Sequence, residues 1–176
     1  IDNFKAVGPA GEAAVILPES MEQKPPVSEE SGAYLLSSCD SDQELSLSGV
    51  KKVVWPKLGS QQFAAFIGLG TTDPVQIKAP VLTDSPVRIP GHAFDDLALR
   101  VQLYVENAAT VKSNGQFELT SGNGPDKNEL HWDTKNLNLK DGWNNLYLDF
   151  SEGVPTGGTL DIGNINYLRF YLFLTA

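Results

Sequence analysis

Cysteine, histidine and methionine are nearly missing from this chain: one Cys, two His and one Met among 176 residues. A lone Cys39 forms no disulfide within the chain and leaves the redox compartment open. His92 and His131 sit in no HExxH or comparable ligand spacing, which removes the common zinc-hydrolase motifs. No apolar run approaches the roughly 20 residues that a membrane-spanning helix needs. Basic residues are outnumbered, 13 against 22, for a net charge of −9. That balance opposes nucleic acid and anionic lipid, which both seek a cationic surface. There is no GxSxG elbow, and Gly68-Leu69-Gly70 lacks the third glycine and the following helix of a dinucleotide site. Internal repeats and low-complexity tracts are absent too.

What is present is a foldable composition, 41% hydrophobic and 20% charged, in a length that suits one domain. The chain opens on Ile1 with no basic or apolar leader, the expectation for a mature or trimmed protein. Alternation of period two dominates its later half. In residues 99–105 every second residue is aliphatic, and the same period recurs in 116–120, 130–139, 145–150 and 167–174. Between them lie the clusters Ser113-Asn114-Gly115, Gly122-Asn123-Gly124-Pro125-Asp126, Lys140-Asp141-Gly142 and Gly153-Val154-Pro155-Thr156-Gly157-Gly158. Glycine and asparagine accept positive φ and proline fixes φ, so these are turns. Short strands with turns between them predict an all-β fold, an antiparallel β-sandwich. Earlier, 13–17 and 33–37 read as short strands around a Pro- and Glu-rich loop at 18–30, and 45–54 and 63–69 as further strands. Residues 71–94 carry Pro74, Pro80, Pro86 and Pro90 with little periodicity. A loop of that length is expected to cover the sandwich or to carry function. Residues 1–176 are thus expected to form a single β-sandwich domain with a long Pro-rich covering loop around 71–94.

Catalysis requires a constellation, and none is legible in spacing alone. Carboxylate pairs such as Asp95-Asp96 and Glu29-Glu30 are too common to signal a glycosidase, whose acids face each other across a cleft. Binding has more to work with. If the aliphatic residues of the late strands point inward, their alternates share the other face. That set is Arg100, Gln102, Tyr104, Glu118, His131, Tyr147, Asp149, Arg169, Tyr171 and Phe173. Sugars need this mixture: rings stack on C–H faces, while bidentate polar groups pair with hydroxyls. The bland reading is that these aromatics form a second layer of core under the covering loop. Successive jelly-roll strands also alternate between sheets, so the ten cannot all share one surface. Ligand contacts are expected at Tyr104, His131, Tyr147, Arg169 and Tyr171. The rival surface is the loop with Arg88 and His92 together with Trp55 at a strand end. Trp132 and Trp143 are expected in the core. Asp40-Ser41-Asp42-Gln43-Glu44 offers hard oxygens suited to Ca²⁺, although a solvated acidic turn gives the same pattern.

Several late segments carry a resemblance: Gly115–Ser121 as GQFELTS, Asp126–Asp133 as DKNELHWD, Leu139–Asn144 as LKDGWN, Thr156-Gly157-Gly158, and Ile165–Tyr171 as INYLRFY. Over about residues 97–173 the chain resembles the galactose-binding-like jelly-roll carbohydrate-binding modules of secreted bacterial glycan-degrading enzymes and surface proteins. The resemblance implies a non-catalytic module, extracellular or on the cell surface. It would be monomeric, bind polysaccharide or oligosaccharide, and sit beside catalytic or anchoring domains. It also implies a structural Ca²⁺ near the chain start, for which Asp2, Asn3 and the Ser31-Gly32 turn are available. Asp40, Asp42 and Glu44 are the further candidates. The usual acid near the C-terminus is missing from 172–176. The alternatives are a small polysaccharide lyase or glycoside hydrolase on the same fold, and an adhesin or assembly domain.

Overall fold

The computed structural model describes residues 33–34, 36–37, 39, 43–49, 52–54, 57–58, 61–62, 65–67 and 74–175. Twelve strands are formed among them, and every pairing is antiparallel. The larger sheet holds six: β1 (Ser46–Ser48), β6 (Val75–Lys78), β12 (Tyr167–Leu172), β8 (Gln116–Thr120), β9 (Glu129–Asp133) and β11 (Val154–Thr156), in that spatial order. Opposite it run β7 (Ala98–Val105) and β10 (Gly142–Asp149), paired over eight residues. Four short strands remain: β2 (Lys52–Val54), β3 (Lys57–Leu58), β4 (Gln61–Gln62) and β5 (Ala65–Ile67). They form two small antiparallel pairs, β2 with β5 (Lys52 opposite Ile67) and β3 with β4 (Leu58 opposite Gln61).

One core joins the two sheets. Phe117, Leu119, Leu130, Trp132 and Phe170 from the large sheet meet Leu99, Leu146 and Leu148 from the β7–β10 pair. Phe117 and Phe170, cross-strand partners, stack nearly parallel with centroids 3.7 Å apart. The architecture is all-β and sandwich-like. Period two is therefore legible in the structure as inside against outside: β10 alternates buried Asn144, Leu146 and Leu148 with exposed Asn145, Tyr147 and Asp149.

Three expectations change in detail. The 71–94 stretch is not structureless: Val75–Lys78 forms β6, an inner strand between β1 and β12, followed by a helical turn at Val81–Asp84. Pro74 and Pro80 bracket it, outside the ladder, so they cost it no hydrogen bond and only disguise its period. Beyond it, residue 87 bridges Ile165, and Ile89 donates to the Ile162 carbonyl. The expected strand at 130–139 stops at Asp133. There the Thr134 hydroxyl donates to the Lys112 carbonyl and accepts from the Gly115 amide, turning the chain. Residues 33, 34, 36 and 37 belong to no strand. The expected strand at 13–17 and the loop at 18–30 lie outside the described residues.

The tryptophans divide. Trp132 is buried, and its indole donates to the Asp149 carbonyl at 2.9 Å. Trp143 is not a core residue: it shares the outward phase of Asn145 and Tyr147, half-buried, and meets Tyr104 edge to face at 5.5 Å. Its register with the inward Leu146 and Leu148 is unbroken from Gly142 onward, so alternation alone places Trp143 outside.

Candidate functional site

The outer face of the six-stranded sheet gathers its polar side chains in rows set by strand register. Reading across β6, β12, β8 and β9, the central row is Lys78, Arg169, Glu118 and His131. Beside it run Gln76, Tyr171, Gln116 and Asp133. The third row carries Tyr167, Thr120 and Glu129, continued by Thr156 of β11. Apart from Thr156, each belongs to the polar phase of a strand whose other phase packs into the core.

At the centre, Arg169 grips Glu118 side-on: Nε donates to Oε2 at 2.5 Å and Nη2 to Oε1 at 2.6 Å. Such a fork fixes both planes. Tyr171 supports it, its ring 4.9 Å from the guanidinium carbon, and its hydroxyl donates to Gln116 Oε1 at 2.6 Å. Gln116 in turn donates to Asp133 Oδ1 at 2.8 Å, and Lys135 holds the other oxygen of Asp133 at 2.7 Å. On the far side, His131 Nδ1 lies 3.2 Å from the Thr156 hydroxyl and 3.5 Å from Glu129 Oε1. Glu129 Oε2 accepts the Asp126 amide at 2.9 Å. Among the described residues no buried side-chain nitrogen or oxygen lacks a hydrogen-bond partner.

Its electrostatics follow from burial. Glu118 is 1% exposed, and desolvation pushes its carboxyl above the ordinary carboxylate range. The Arg169 hydrogen bond and charge oppose that rise, while Glu129 and Asp126 add to it. Burial works against the Arg169 charge, but Glu118 outweighs it and holds the guanidinium more firmly protonated. Burial, reinforced by Glu118, likewise lifts the phenols of Tyr167 and Tyr171. Asp133 is shifted the other way, held low by Lys135 and Gln116.

The loop between β8 and β9 closes one end of this face. Asn123, Asp126 and Asn128 all take positive φ there. Buried Asn166 ties it down, donating to the Ser121 carbonyl and accepting the Asn123 amide. Gly157, at φ 63°, lets β11 approach: a Cβ there would stand 2.0 Å from the Asp126 carbonyl oxygen.

The expected ligand residues therefore part company. His131, Arg169 and Tyr171 share the large sheet's outer face. Tyr104 and Tyr147 lie on the opposite side of the sandwich, on the outer face of β7–β10. There Tyr147 is 54% exposed, with the Arg100 guanidinium 5.6 Å from its ring, and Gln102 donates to Asn145 at 3.0 Å. Arg88 and His92 are exposed on the segment that bridges the 162–165 connection, where His92 meets Tyr34 edge-on at 6.3 Å. Trp55 lies outside the described residues, as do Asp2, Asn3, Ser31, Gly32, Asp40 and Asp42. Of the calcium candidates only Glu44 is described, and its Oε2 accepts from the Ser37 hydroxyl at 2.9 Å. No group of three or more His, Cys, Asp or Glu positioned for a metal occurs among the described residues. The calcium expectation thus rests on residues outside that set, and the function proposed below does not use it.

Reasoning from sequence missed Gln116, Glu129, Asp133 and Tyr167, although each lies two residues from one it singled out. Extending the phase of Glu118, His131 and Arg169 by one step finds all four. Lys78 was hidden by its bracketing prolines.

The chain matches no protein-family model, no curated protein and no solved structure. No helix among the described residues is long and apolar enough to cross a membrane.

Proposed function

We propose that this chain is a non-catalytic carbohydrate-binding module of jelly-roll, galactose-binding-like type, which targets a secreted or surface-attached bacterial enzyme to polysaccharide or host glycan. One observation carries the reading: the large sheet presents a braced polar face of Arg169, Gln116 and His131, held from beneath by buried Glu118 and flanked by Tyr167 and Tyr171. Hydroxyl groups of a sugar both donate and accept, and this face offers both functions in fixed positions. Groups already locked by partners lose little freedom when a ligand arrives. The tyrosines supply the apolar wall that a pyranose C–H face needs. A small epitope of this kind binds with Kd values from about micromolar to about millimolar.

A second reading is favoured by one feature, the two buried carboxylates Glu118 and Glu129 on one face, the first held above its ordinary range. A hydrolase or lyase uses such an acid as a proton donor. Both acids are nevertheless engaged, Glu118 by Arg169 and Glu129 by the Asp126 amide, which favours binding over turnover. A glycan array with affinity gels, followed by reducing-sugar and unsaturated-product assays on every ligand found, separates the two. Retention without product supports the module. Product formation replaces it with the enzyme.

A further inference from the structure

Among the described residues, nothing engages the outer edge of the Arg169 guanidinium. A guanidinium carries five N–H donors, and the side-on fork to Glu118 consumes one on Nε and one on Nη2. Nη1 keeps both of its hydrogens and Nη2 keeps one, so a parallel pair remains at the tip of the side chain. That pair has the spacing of the two oxygens of a carboxylate. Glu118 and the Tyr171 ring hold the plane in place, and the Arg169 side chain is 19% exposed, enough for its tip to be reached.

On the side of Arg169 away from Glu118 stands Lys78, its direct cross-strand partner. Like charges facing each other across a ladder destabilise it unless an anion lies between them. Among the described residues no carboxylate comes within ion-pair distance of Lys78. Glu118, on the far side of Arg169 from Lys78, answers one of these two charges. The Lys78–Arg169–Glu118 stretch is therefore left with one cation in excess, inside a protein of net charge −9.

We infer that this excess is the seat of a ligand carboxylate, and that the glycans bound here carry uronic acid. The inference rests on the carbohydrate-binding reading and names its ligand class. The sugar carboxylate would lie on the open edge of Arg169 with Lys78 beside it, while ring hydroxyls meet Gln76 and Gln116 in the adjoining row. The protein's overall negative charge acts at a distance and is screened beyond about 8 Å at physiological salt, whereas the contact pairs are not.

Titration calorimetry on the intact protein tests this with galacturonate, glucuronate and alginate oligosaccharides, each run against its own carboxyl-reduced counterpart. At least one acidic form should bind about tenfold more tightly than its neutral twin, the worth of one charge-assisted contact. Lys78→Met should shrink that ratio and Lys78→Arg should retain it, with folding of each variant verified by urea melts. Equal or weaker binding of the acid wherever the reduced partner binds overturns the uronate inference and leaves the carbohydrate reading intact. A preference untouched by Lys78→Met also overturns the site as placed. If no acidic, reduced or neutral glycan binds at all, the carbohydrate reading falls and takes this inference with it.

Discussion

Replacing Arg169 with Met leaves the Glu118 carboxylate buried without its partner, and the consequence should depend on pH in a specified direction. Glu118 is 1% exposed and receives both of its described hydrogen bonds from Arg169. Breaking a buried ion pair by removing one member costs about 3–5 kcal/mol when the remaining group stays charged. Arg169 is itself 19% exposed, which places the expected cost at the lower end, about 3 kcal/mol. Protonation offers an escape. The Glu118 carboxyl already sits above the ordinary range, and losing Arg169 removes the two influences that lower it, so it rises further. Above the unfolded-state value of about 4.3, the native variant then holds a proton that the unfolded chain has released. Stability of Arg169→Met therefore falls as pH rises from that value to the raised one, then levels off. Urea unfolding of variant and parent from about pH 4 to about pH 8 measures the difference, in which groups common to both, such as Asp133, cancel. The gap should be smallest at the acid end and widen upward, and Glu118→Gln added to Arg169→Met should flatten it. A constant gap across the range would refute the burial argument for this pair.

Other outcomes follow from packing. Trp132→Ala should cost about 3–5 kcal/mol in urea or thermal melts because it opens a cavity between the sheets, whereas Trp143→Ala, on the outer face, should cost less than half as much. Gly157→Ala should lower stability by about 2 kcal/mol or more, since the new Cβ meets the Asp126 carbonyl at a positive φ; a neutral result would mean that β11 does not approach as closely as described. Tyr147→Ala should leave the melt within about 0.5 kcal/mol of the parent, as befits an exposed surface ring.

The later half of the fold was legible because each strand there is long enough for two or three repeats of its period and is bounded by glycine or asparagine. Residues 116–120 coincide with β8, and the run at 99–105 falls within β7. Strand β6 was not legible: four residues give two inward and two outward positions, and two prolines nearby argue more loudly than that. Trp143 misled because its bulk suggests core, while its phase with Tyr147 says otherwise. Phase was the better guide. At the candidate site, alternation identified which residues leave the core but not which sheet they leave from. That depends on strand order, which no local pattern encodes, and it separates Tyr147 from Tyr171. The Glu118–Arg169 pair, joining residues 51 apart in sequence, is likewise a product of β8 lying beside β12.

If the Glu118–Arg169–Tyr171 face holds a glycan, calorimetric titration with a glycan recovered from the array will report it. Parent, Tyr171→Ala and Tyr147→Ala should be compared, each confirmed as folded by its melt. Tyr171→Ala should weaken binding about tenfold, through the lost wall and the freed Arg169, while Tyr147→Ala binds like the parent. Loss of affinity in Tyr147→Ala with none in Tyr171→Ala would place the ligand on the opposite sheet and refute a site at Arg169.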